Sequence, residues 1–332
     1  MRVVNDTEGR VIGLPIKDVG GRELLAVVLK YTFALDSDGT ATIVPAEESP
    51  PIDLIDTYNG DDPALASIRR PSQLCEFKPG TEVLLLGSAA VPPNDATSTE
   101  VGLVVGSIKK TVRVFGLRTW RMGSFGGVAP GPALPIREPV PLIYELSWGG
   151  RDLRDPARPL GEPRNYSGRG INRSPRELVG QPATRLELPT GANDPASFGA
   201  IHRHWQPRAS WAGTYDSAWE AERMPLLPRD FDPMFHVAAP PDQWSPTPLR
   251  SDEPLRVVGV AERPWVVQLP RIHPGFFSTV DGVRSERRSH LDCVLIDTEA
   301  RTVELFWRVA VPLPKKYERL QRVTVRTKHL VA

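Results

Sequence analysis

Proline is the residue that most restricts how this chain can fold. The sequence contains 35 prolines in 332 residues, about twice the usual share of roughly 5%. Because proline has no backbone N–H and breaks helix interiors, long helices and central strands can run only between the proline-rich segments. We therefore expect strands joined by ordered loops, with few and short helices.

Runs of β-branched, aliphatic and aromatic residues mark strands between these segments. After the run "ELLAVVLKYTFA" (23–34), the dipeptide Asp38-Gly39 is a typical hairpin turn. Farther on, Thr111 and Arg113 alternate with valines, which predicts one apolar strand face. The predicted fold class is mainly β, with antiparallel sheets in a sandwich- or barrel-like arrangement, long Pro/Gly-rich loops and a few short helices. The predicted strands cover residues 24–34, 40–45, 81–90, 100–116 (two strands turning near Gly106), 142–148, 254–260, 263–270, 291–311 (a hairpin turning near 297–300) and 319–328.

The chain is predicted to form a single unit over residues 1–330. It could be subdivided into an N-terminal β part (1–148), an irregular segment with short helices (149–250) and a C-terminal β part (251–330). Residues 149–200 show almost no helical or strand periodicity and are rich in Gly, Pro, Arg and Asn. A segment this long without regular structure is usually functional or mobile.

Charge and cysteine usage exclude several classes of protein. With 41 basic and 40 acidic residues, the net charge of +1 argues against nucleic-acid binding driven by bulk charge. The chain has no polybasic run, no apolar signal region and no stretch that approaches the ~20 apolar residues of a membrane span. These features predict a cytoplasmic protein, in which Cys75 and Cys293 are expected to be buried free thiols.

No motif predicts an enzyme, a cofactor or a metal site. The stretch "GSIKKT" (106–111) lacks the glycine directly before the lysine that a phosphate loop requires, and no G-x-S-x-G nucleophile motif is present. His202 and His204 form an H-x-H pair whose two imidazoles would share one face of a strand, and His236 lies downstream. However, no nearby pattern supplies a clear third ligand and an orienting carboxylate.

The stretch "WAGTYDSAWEAERMPLLP" (211–228) concentrates aromatic and charged residues. Carboxylates beside tryptophans could form a sugar-cleaving site. However, Ser217 with Glu220 fits a capping box, and Asp232 followed by Pro233 fits a second helix start. Tryptophan, tyrosine and arginine also dominate binding hot spots, although tryptophans are often simply buried in the core. The residues alone leave recognition and core packing both open.

Residues 198–243, "FGAIHRHWQPRASWAGTYDSAWEAERMPLLPRDFDPMFHVAAPPDQ", resemble the hallmark of a bacterial family, domain of unknown function 2169. Other family-like pieces keep the same order, including "WGG" (148–150) and "NYSGRG" (165–170), and the resemblance covers roughly residues 10–310. The chain departs from the usual pattern at 183–189, which lacks an expected asparagine, and at Trp148, where phenylalanine is frequent.

Members of this family typically accompany type VI secretion genes. The resemblance implies a non-enzymatic adaptor or chaperone that loads a secreted effector onto the spike of VgrG and PAAR proteins, and it supplies no catalytic residues. The expected partners are the effector, VgrG or PAAR, and neither nucleic acid nor membrane. Two alternatives stay open, a carbohydrate-binding or carbohydrate-active β-protein and a structural component of the secretion assembly.

We expect the block 205–244, helped by the loop 148–170, to form or brace the docking surface. The candidate partner-binding residues are Trp148, Gly149, Gly150, Trp205, Trp211, Gly213, Thr214, Tyr215, Asp216, Trp219, Arg223, Pro240, Pro241, Asp242 and Gln243.

Overall fold

The computed structural model describes residues 2–37, 39–123, 126–191, 193–315 and 319–331. Strands account for 42% and helical turns for 8%, arranged in several antiparallel sheets, which confirms the predicted mainly β class. Asp38 of the predicted hairpin turn lies outside the described residues, whereas Gly39 beside it has a φ of +88°. The strands on either side of this turn pair as an antiparallel hairpin, as expected.

The longest strands lie in the N- and C-terminal parts of the chain. Up to residue 149 the strands are β1 (Arg2–Asp6), β2 (Arg10–Lys17), β3 (Glu23–Leu35), β4 (Ala41–Val44), β5 (Thr57–Tyr58), β6 (Ile68–Arg70), β7 (Thr81–Leu86), β8 (Ser88–Ala89), β9 (Ser98–Val105), β10 (Ile108–Phe115), β11 (Trp120–Met122), β12 (Val128–Pro130), β13 (Val140–Pro141) and β14 (Trp148–Gly149). The middle of the chain has the two-residue strands β15 (Arg151–Asp152), β16 (Leu160–Gly161), β17 (Arg169–Gly170), β18 (Leu186–Glu187) and β19 (Trp244–Ser245). The C-terminal strands are β20 (Leu255–Val258), β21 (Trp265–Val267), β22 (Arg271–Val280), β23 (Val283–Arg287), β24 (Leu291–Asp297), β25 (Thr302–Pro312) and β26 (Leu320–Val331).

Helical structure is short wherever it occurs. Among the described residues, α1 (Ser217–Glu222) is the sole α-helix. No helix in this part of the chain is long and apolar enough to cross a membrane. The remaining helical segments are 3-10 turns at Tyr144–Leu146, Pro175–Leu178, Arg208–Trp211, Pro233–His236 and Pro241–Gln243.

The predicted strand over residues 142–148 is wrong. The chain forms a 3-10 turn there, with the Tyr144 and Leu146 side chains buried. The Tyr144 carbonyl accepts hydrogen bonds from the Ser147 backbone N–H and from Asn165 Nδ2 (2.9 Å). Local and side-chain donors therefore replace the neighbouring strand that an extended conformation would need.

The central sheet has the strand order β19-β7-β24-β25-β3-β2, and β4 also pairs with β3. Its neighbours are antiparallel apart from the parallel pair β7 and β24. Strand β3 is buried on both faces from Leu24 to Phe33, which explains its nearly continuous apolar sequence. Strands from all three predicted parts of the chain contribute to this sheet.

Two further sheets pack against one face of the central sheet. One has five antiparallel strands in the order β18-β10-β9-β20-β21, and the other has the order β1-β26-β22-β23. Val27 of β3, Val112 of β10 and Phe276 of β22 belong to the same hydrophobic core cluster. The predicted alternation along β10 is confirmed, because Val112 is buried whereas Thr111 and Arg113 are exposed.

The opposite face of the central sheet is covered by irregular chain and contains buried charges. Lys30 of β3 pairs with Glu304 of β25 at 3.0 Å, and both side chains are buried. Arg308 of β25 similarly pairs with Asp292 of β24 at 2.5 Å. Apolar residues between these pairs form a second, smaller core cluster that includes Phe306.

The two cysteines lie on this charged face and are free and buried, as expected. Arg308 donates a hydrogen bond to Cys75 Sγ, and Gln73 Nε2 lies 3.9 Å from Cys293 Sγ. Burial raises the pKa of both thiols. Neither cysteine therefore has the lowered pKa of a reactive thiolate.

Glu82 of β7 connects the central sheet to the irregular chain. Its carboxylate accepts hydrogen bonds from the backbone N–H groups of Ala238 (2.6 Å) and Ala239 (3.0 Å), and also from Lys78. Burial on its own would raise the pKa of Glu82, but the Lys78 ammonium and the backbone donors lower it below the ordinary value. This buried ion pair therefore positions the end of the block 205–244.

We expect Glu82→Gln to lower the free energy of unfolding by about 3 to 5 kcal/mol, because it leaves the buried Lys78 ammonium without its carboxylate. Urea unfolding at neutral pH measures the loss. Glu100→Gln is the matched control, since the Glu100–Arg113 pair is exposed on both sides, and it should cost less than about 1 kcal/mol. Equal losses in the two variants would contradict the anchoring role of Glu82.

Candidate functional site

Residues 211–232 form a closed loop, here called the excursion, which carries α1. The neck of the loop is closed where the Asp232 N–H donates to the Trp211 carbonyl at 3.0 Å. Beside it, the Thr214 N–H and hydroxyl donate to the two carboxylate oxygens of Asp230 at 3.0 and 2.7 Å. Gly213 has a φ of +82°, and a Cβ there would lie 2.7 Å from Pro228 Cβ. The "GTYD" stretch thus fixes the base of the excursion.

Two acidic residues cap the helical turns in and beside the excursion. The N-cap of α1 is Asp216, whose carboxylate accepts the Trp219 N–H at 2.8 Å. The predicted cap at Ser217 is wrong, because Asp216 has the extended backbone conformation of an N-cap and Ser217 is already helical. The predicted start at Asp232 is confirmed, since its carboxylate accepts the Met234 N–H at 2.8 Å.

Trp219 and Arg223 hold the excursion in shape. The Trp219 indole N–H donates to the Leu226 carbonyl at 2.8 Å. The Arg223 guanidinium donates to the Leu227 carbonyl at 2.8 Å and to the carbonyl of Val19, which lies between β2 and β3. Both candidate side chains are half-buried. Their hydrogen bonds tie the tip of the excursion to itself and to the β2–β3 turn.

The outer surface of the excursion exposes apolar groups. Tyr215 is 53% exposed and Met224 is 62% exposed. The Tyr215 ring packs edge-on against Trp219, with ring centroids 4.7 Å apart. The candidates Thr214 and Asp216 are also exposed, whereas Trp211 and Gly213 are half-buried at the neck. Tyr215 and Met224 are thus bulky groups on a backbone that is already fixed.

Other candidates of the block lie inside the molecule and brace it. Trp205 is buried and packs edge-on against Tyr144, with ring centroids 5.5 Å apart. Gln243 is buried, and its Nε2 donates to the carbonyls of Val83 (2.7 Å) and Phe198 (2.9 Å). Trp205 thus joins the block to Tyr144, and Gln243 joins it to β7 and to Phe198.

The "WGG" stretch is locked to the 165–170 segment. Gly149 has a φ of +149°, and a Cβ there would lie 2.3 Å from the Asn165 carbonyl oxygen. Asn165 Nδ2 donates to the Trp148 carbonyl at 2.9 Å, and Trp148 itself is half-buried against Trp120. Gly149 and Gly150 are buried. These candidates therefore fix the fold of the loop.

A cavity of about 370 Å³, here called the basal cavity, lies at the foot of the excursion. Its lining includes the chain that enters the excursion, at Ile201, and the chain that leaves it, at Pro240, Pro241 and Asp242. Lys110 of β10 also lines the cavity, and its Nζ donates to Asp242 Oδ1 at 2.9 Å. Three candidate residues, Pro240, Pro241 and Asp242, therefore line the same cavity as the buried Lys110 ammonium.

Lys110 is the residue of this site that sequence reasoning missed. Its side chain is 5% exposed, and its Nζ lies 5.7 Å from the centroid of the Phe198 ring. Burial lowers the pKa of Lys110, although the Asp242 carboxylate acts in the opposite direction. The available signal was the alternation along β10, which places Lys110 on the same face as Val112 and Val114.

The histidines do not assemble a set of metal ligands. His202 and His204 lie close together, with ring centroids 5.3 Å apart, and the backbone N–H of His204 donates to His202 Nδ1. Within the described ranges, no group of three or more His, Cys, Asp or Glu side chains could hold an ion. Burial, reinforced by the Lys78 and Arg308 cations, lowers the pKa of His236 to about 3. His236 is thus neutral near pH 7.

Comparison with known proteins identifies one match. The model of a family described as an uncharacterized protein conserved in bacteria, DUF2169, matches residues 20–308. No curated protein and no solved structure matches the chain. The matched range includes the whole excursion and every lining residue of the basal cavity.

We expect the free energy of unfolding to decrease as the pH falls, in part because of His236. Below about pH 6.5 the unfolded chain protonates this side chain while the folded protein keeps it neutral, so stability present above that pH is lost as the pH falls towards about 3. At about pH 5 the stability lost through His236 amounts to about 2 kcal/mol. Urea unfolding between about pH 7 and pH 5 should show a shallower decline for His236→Gln.

His273→Gln provides the control for this pH dependence, because the His273 side chain is exposed and should leave the decline unchanged. An unchanged decline in His236→Gln would show that protonation elsewhere in the chain causes the loss.

Proposed function

The chain belongs to the DUF2169 family of bacterial proteins, and we propose that this member is a non-enzymatic adaptor that binds another protein through the block 205–244. The observation that carries the proposal is the excursion, whose backbone is fixed at its neck by Asp230 and Asp232 while Tyr215 and Met224 stay exposed. A fixed backbone with exposed bulky side chains is suited to binding a protein rather than to transforming a substrate.

Preorganisation explains why such a surface would bind well. Association costs free energy when loops and side chains must be ordered. Here the Thr214–Asp230 hydrogen bonds and the Arg223 contacts already order the loop. Tyrosine is enriched among binding hot spots, and methionine adapts its shape to a partner surface. Contacts made by Tyr215 and Met224 would therefore be gained at a small ordering cost.

The finer part of the proposal names the partner. The genes that typically accompany this family suggest a type VI secretion effector, which the adaptor would load in the cytoplasm onto a spike of VgrG and PAAR proteins. The chain's near-zero net charge and its lack of catalytic motifs agree with this role.

Three of the carboxylates beside the tryptophans have structural partners that account for them. Asp216 and Asp232 each accept a backbone N–H, and Asp230 accepts both the N–H and the hydroxyl of Thr214. These contacts favour a structural role for the acids over the paired acid and base of a sugar-cleaving site.

We expect the double variant Tyr215→Ala/Met224→Ala to weaken partner binding by about tenfold or more, because it removes exposed hot-spot side chains and leaves the excursion's hydrogen bonds intact. The measurement is titration calorimetry of the full chain with purified effector, PAAR and VgrG proteins encoded by the same genome. The melting temperature should stay close to that of the unmodified chain.

The matched control is Leu117→Ala/Leu134→Ala, which removes two exposed apolar side chains outside the excursion and should leave the affinity unchanged. If no effector or spike protein binds the full chain, the adaptor function is wrong. If binding occurs but both double variants weaken it equally, the excursion is not the docking surface.

A further inference from the structure

The charged side chains that line the basal cavity form neutral pairs. Lys110 pairs with Asp242, and at the rim Arg164 pairs with Asp194 at 2.8 Å. Arg164 also contacts Glu162 at 2.7 Å, but Glu162 is outside the cavity lining, whose two cations and two carboxylates balance. A charged ligand would therefore meet both an attractive and a repulsive group, and the cavity offers no excess of either sign.

Lys110 and Asp242 nevertheless offer hydrogen bonds to a ligand. In the described part of the chain, the Lys110 ammonium donates to one acceptor, Asp242 Oδ1, so it retains further N–H donors. Asp242 is 47% exposed and accepts through Oδ1, which leaves Oδ2 available. The pair thus presents one donor site and one acceptor site side by side.

The remaining walls are mostly apolar. They are lined by Tyr144, Leu188, Pro195, Ile201, Pro207, Pro240 and Pro241, together with the polar Gln206. A volume of about 370 Å³ is at the small end of the range for ligand sites and accommodates one large side chain with its flanking backbone. Burial of an apolar group against these walls would supply most of the binding free energy.

A neutral amide matches this arrangement better than an ion does. The carbonyl of an extended residue accepts from Lys110, and the N–H of the same residue, which points to the same side of the chain, donates to Asp242. A ligand carboxylate would be repelled by Asp242, and a ligand cation by the buried Lys110 ammonium. The chemical class indicated is therefore an apolar side chain attached to a peptide backbone.

We propose that the basal cavity binds one apolar side chain of a partner polypeptide, with the backbone C=O and N–H of the same residue bonded to Lys110 and Asp242. This proposal rests on the proposed function, because it assumes a protein partner. The cavity lies between the chain entering the excursion at Ile201 and the chain leaving it at Pro240, so one partner can contact the excursion and fill the cavity.

The direct test uses small amides and needs no partner. The probes are N-acetyl-leucinamide, N-acetylglycinamide and N-acetyl-leucine, titrated into the full chain while the methyl NMR signals of Leu188 and Ile201 are followed. N-acetyl-leucinamide should bind with a dissociation constant on the order of 1 to 10 mM, as expected for so few atoms. N-acetylglycinamide, which lacks the apolar side chain, should bind about tenfold more weakly or worse.

Asp242→Asn gives the sharper comparison, because it keeps the size of the side chain and removes its charge. In the unmodified chain N-acetyl-leucine should bind several-fold more weakly than N-acetyl-leucinamide, since its carboxylate meets Asp242. In Asp242→Asn this order should reverse, because the Lys110 ammonium then lacks a counter-ion. A loss of folding in Asp242→Asn would show in its methyl spectrum. In that case Lys110→Met is the test variant, and it should weaken the binding of N-acetyl-leucinamide without strengthening that of N-acetyl-leucine.

The proposal is overturned if N-acetyl-leucinamide leaves the Leu188 and Ile201 methyl signals unshifted, or if the glycine amide binds equally well. The variant Gln206→Trp tests the cavity proposal separately from the proposed function. Gln206 is an exposed lining residue, and a tryptophan there obstructs the cavity. The variant should weaken both the amide probe and the partner. Loss of amide binding with full partner affinity would remove the cavity from docking while the adaptor function stands.

Discussion

The buried carboxylate of Glu82 holds the irregular part of the molecule to its central sheet. Only a two-residue strand, β19, joins the block 205–244 to that sheet by regular pairing among the described residues. Glu82 supplies the stronger connection, because it accepts the N–H groups of Ala238 and Ala239 while it pairs with Lys78. Both the excursion and the basal cavity depend on this connection, because Ala238 and Ala239 lie between the end of the excursion and the cavity residue Pro240.

The other buried charges follow the same principle. The loops that cover a sheet face have backbone carbonyls that no neighbouring strand can satisfy. Lys30 donates to the Pro50 carbonyl at 2.6 Å, Arg308 to the Gln73 carbonyl at 2.7 Å, and Arg208 to the Ile201 carbonyl at 2.6 Å. Prolines lack the N–H that would let loops pair with one another. Buried cations therefore take the place of strand pairing in a proline-rich cover.

The sequence predicted the parts of the fold that depend on local pattern. Strand β3, the alternation along β10 and the Asp232 cap follow from neighbouring residues, and each is confirmed. Strand β22 was missed because Pro274 interrupts its pattern, and the structure accommodates the proline where the register with β26 shifts. The Lys110–Asp242 pair could not be predicted, because it joins residues 132 positions apart. Contacts of this range depend on sheet packing, which periodicity does not reveal.

Under the proposed function, stability and recognition depend on different residues of this site. Glu82, Asp230 and Arg223 hold the backbone through hydrogen bonds. Tyr215 and Met224 contribute exposed apolar surface. The chain's balanced charge and the neutral pairs of the cavity leave little long-range electrostatic steering. Partner choice would then depend on shape and on directional hydrogen bonds at short range, so the partner-facing side chains can change without loss of the scaffold that presents them.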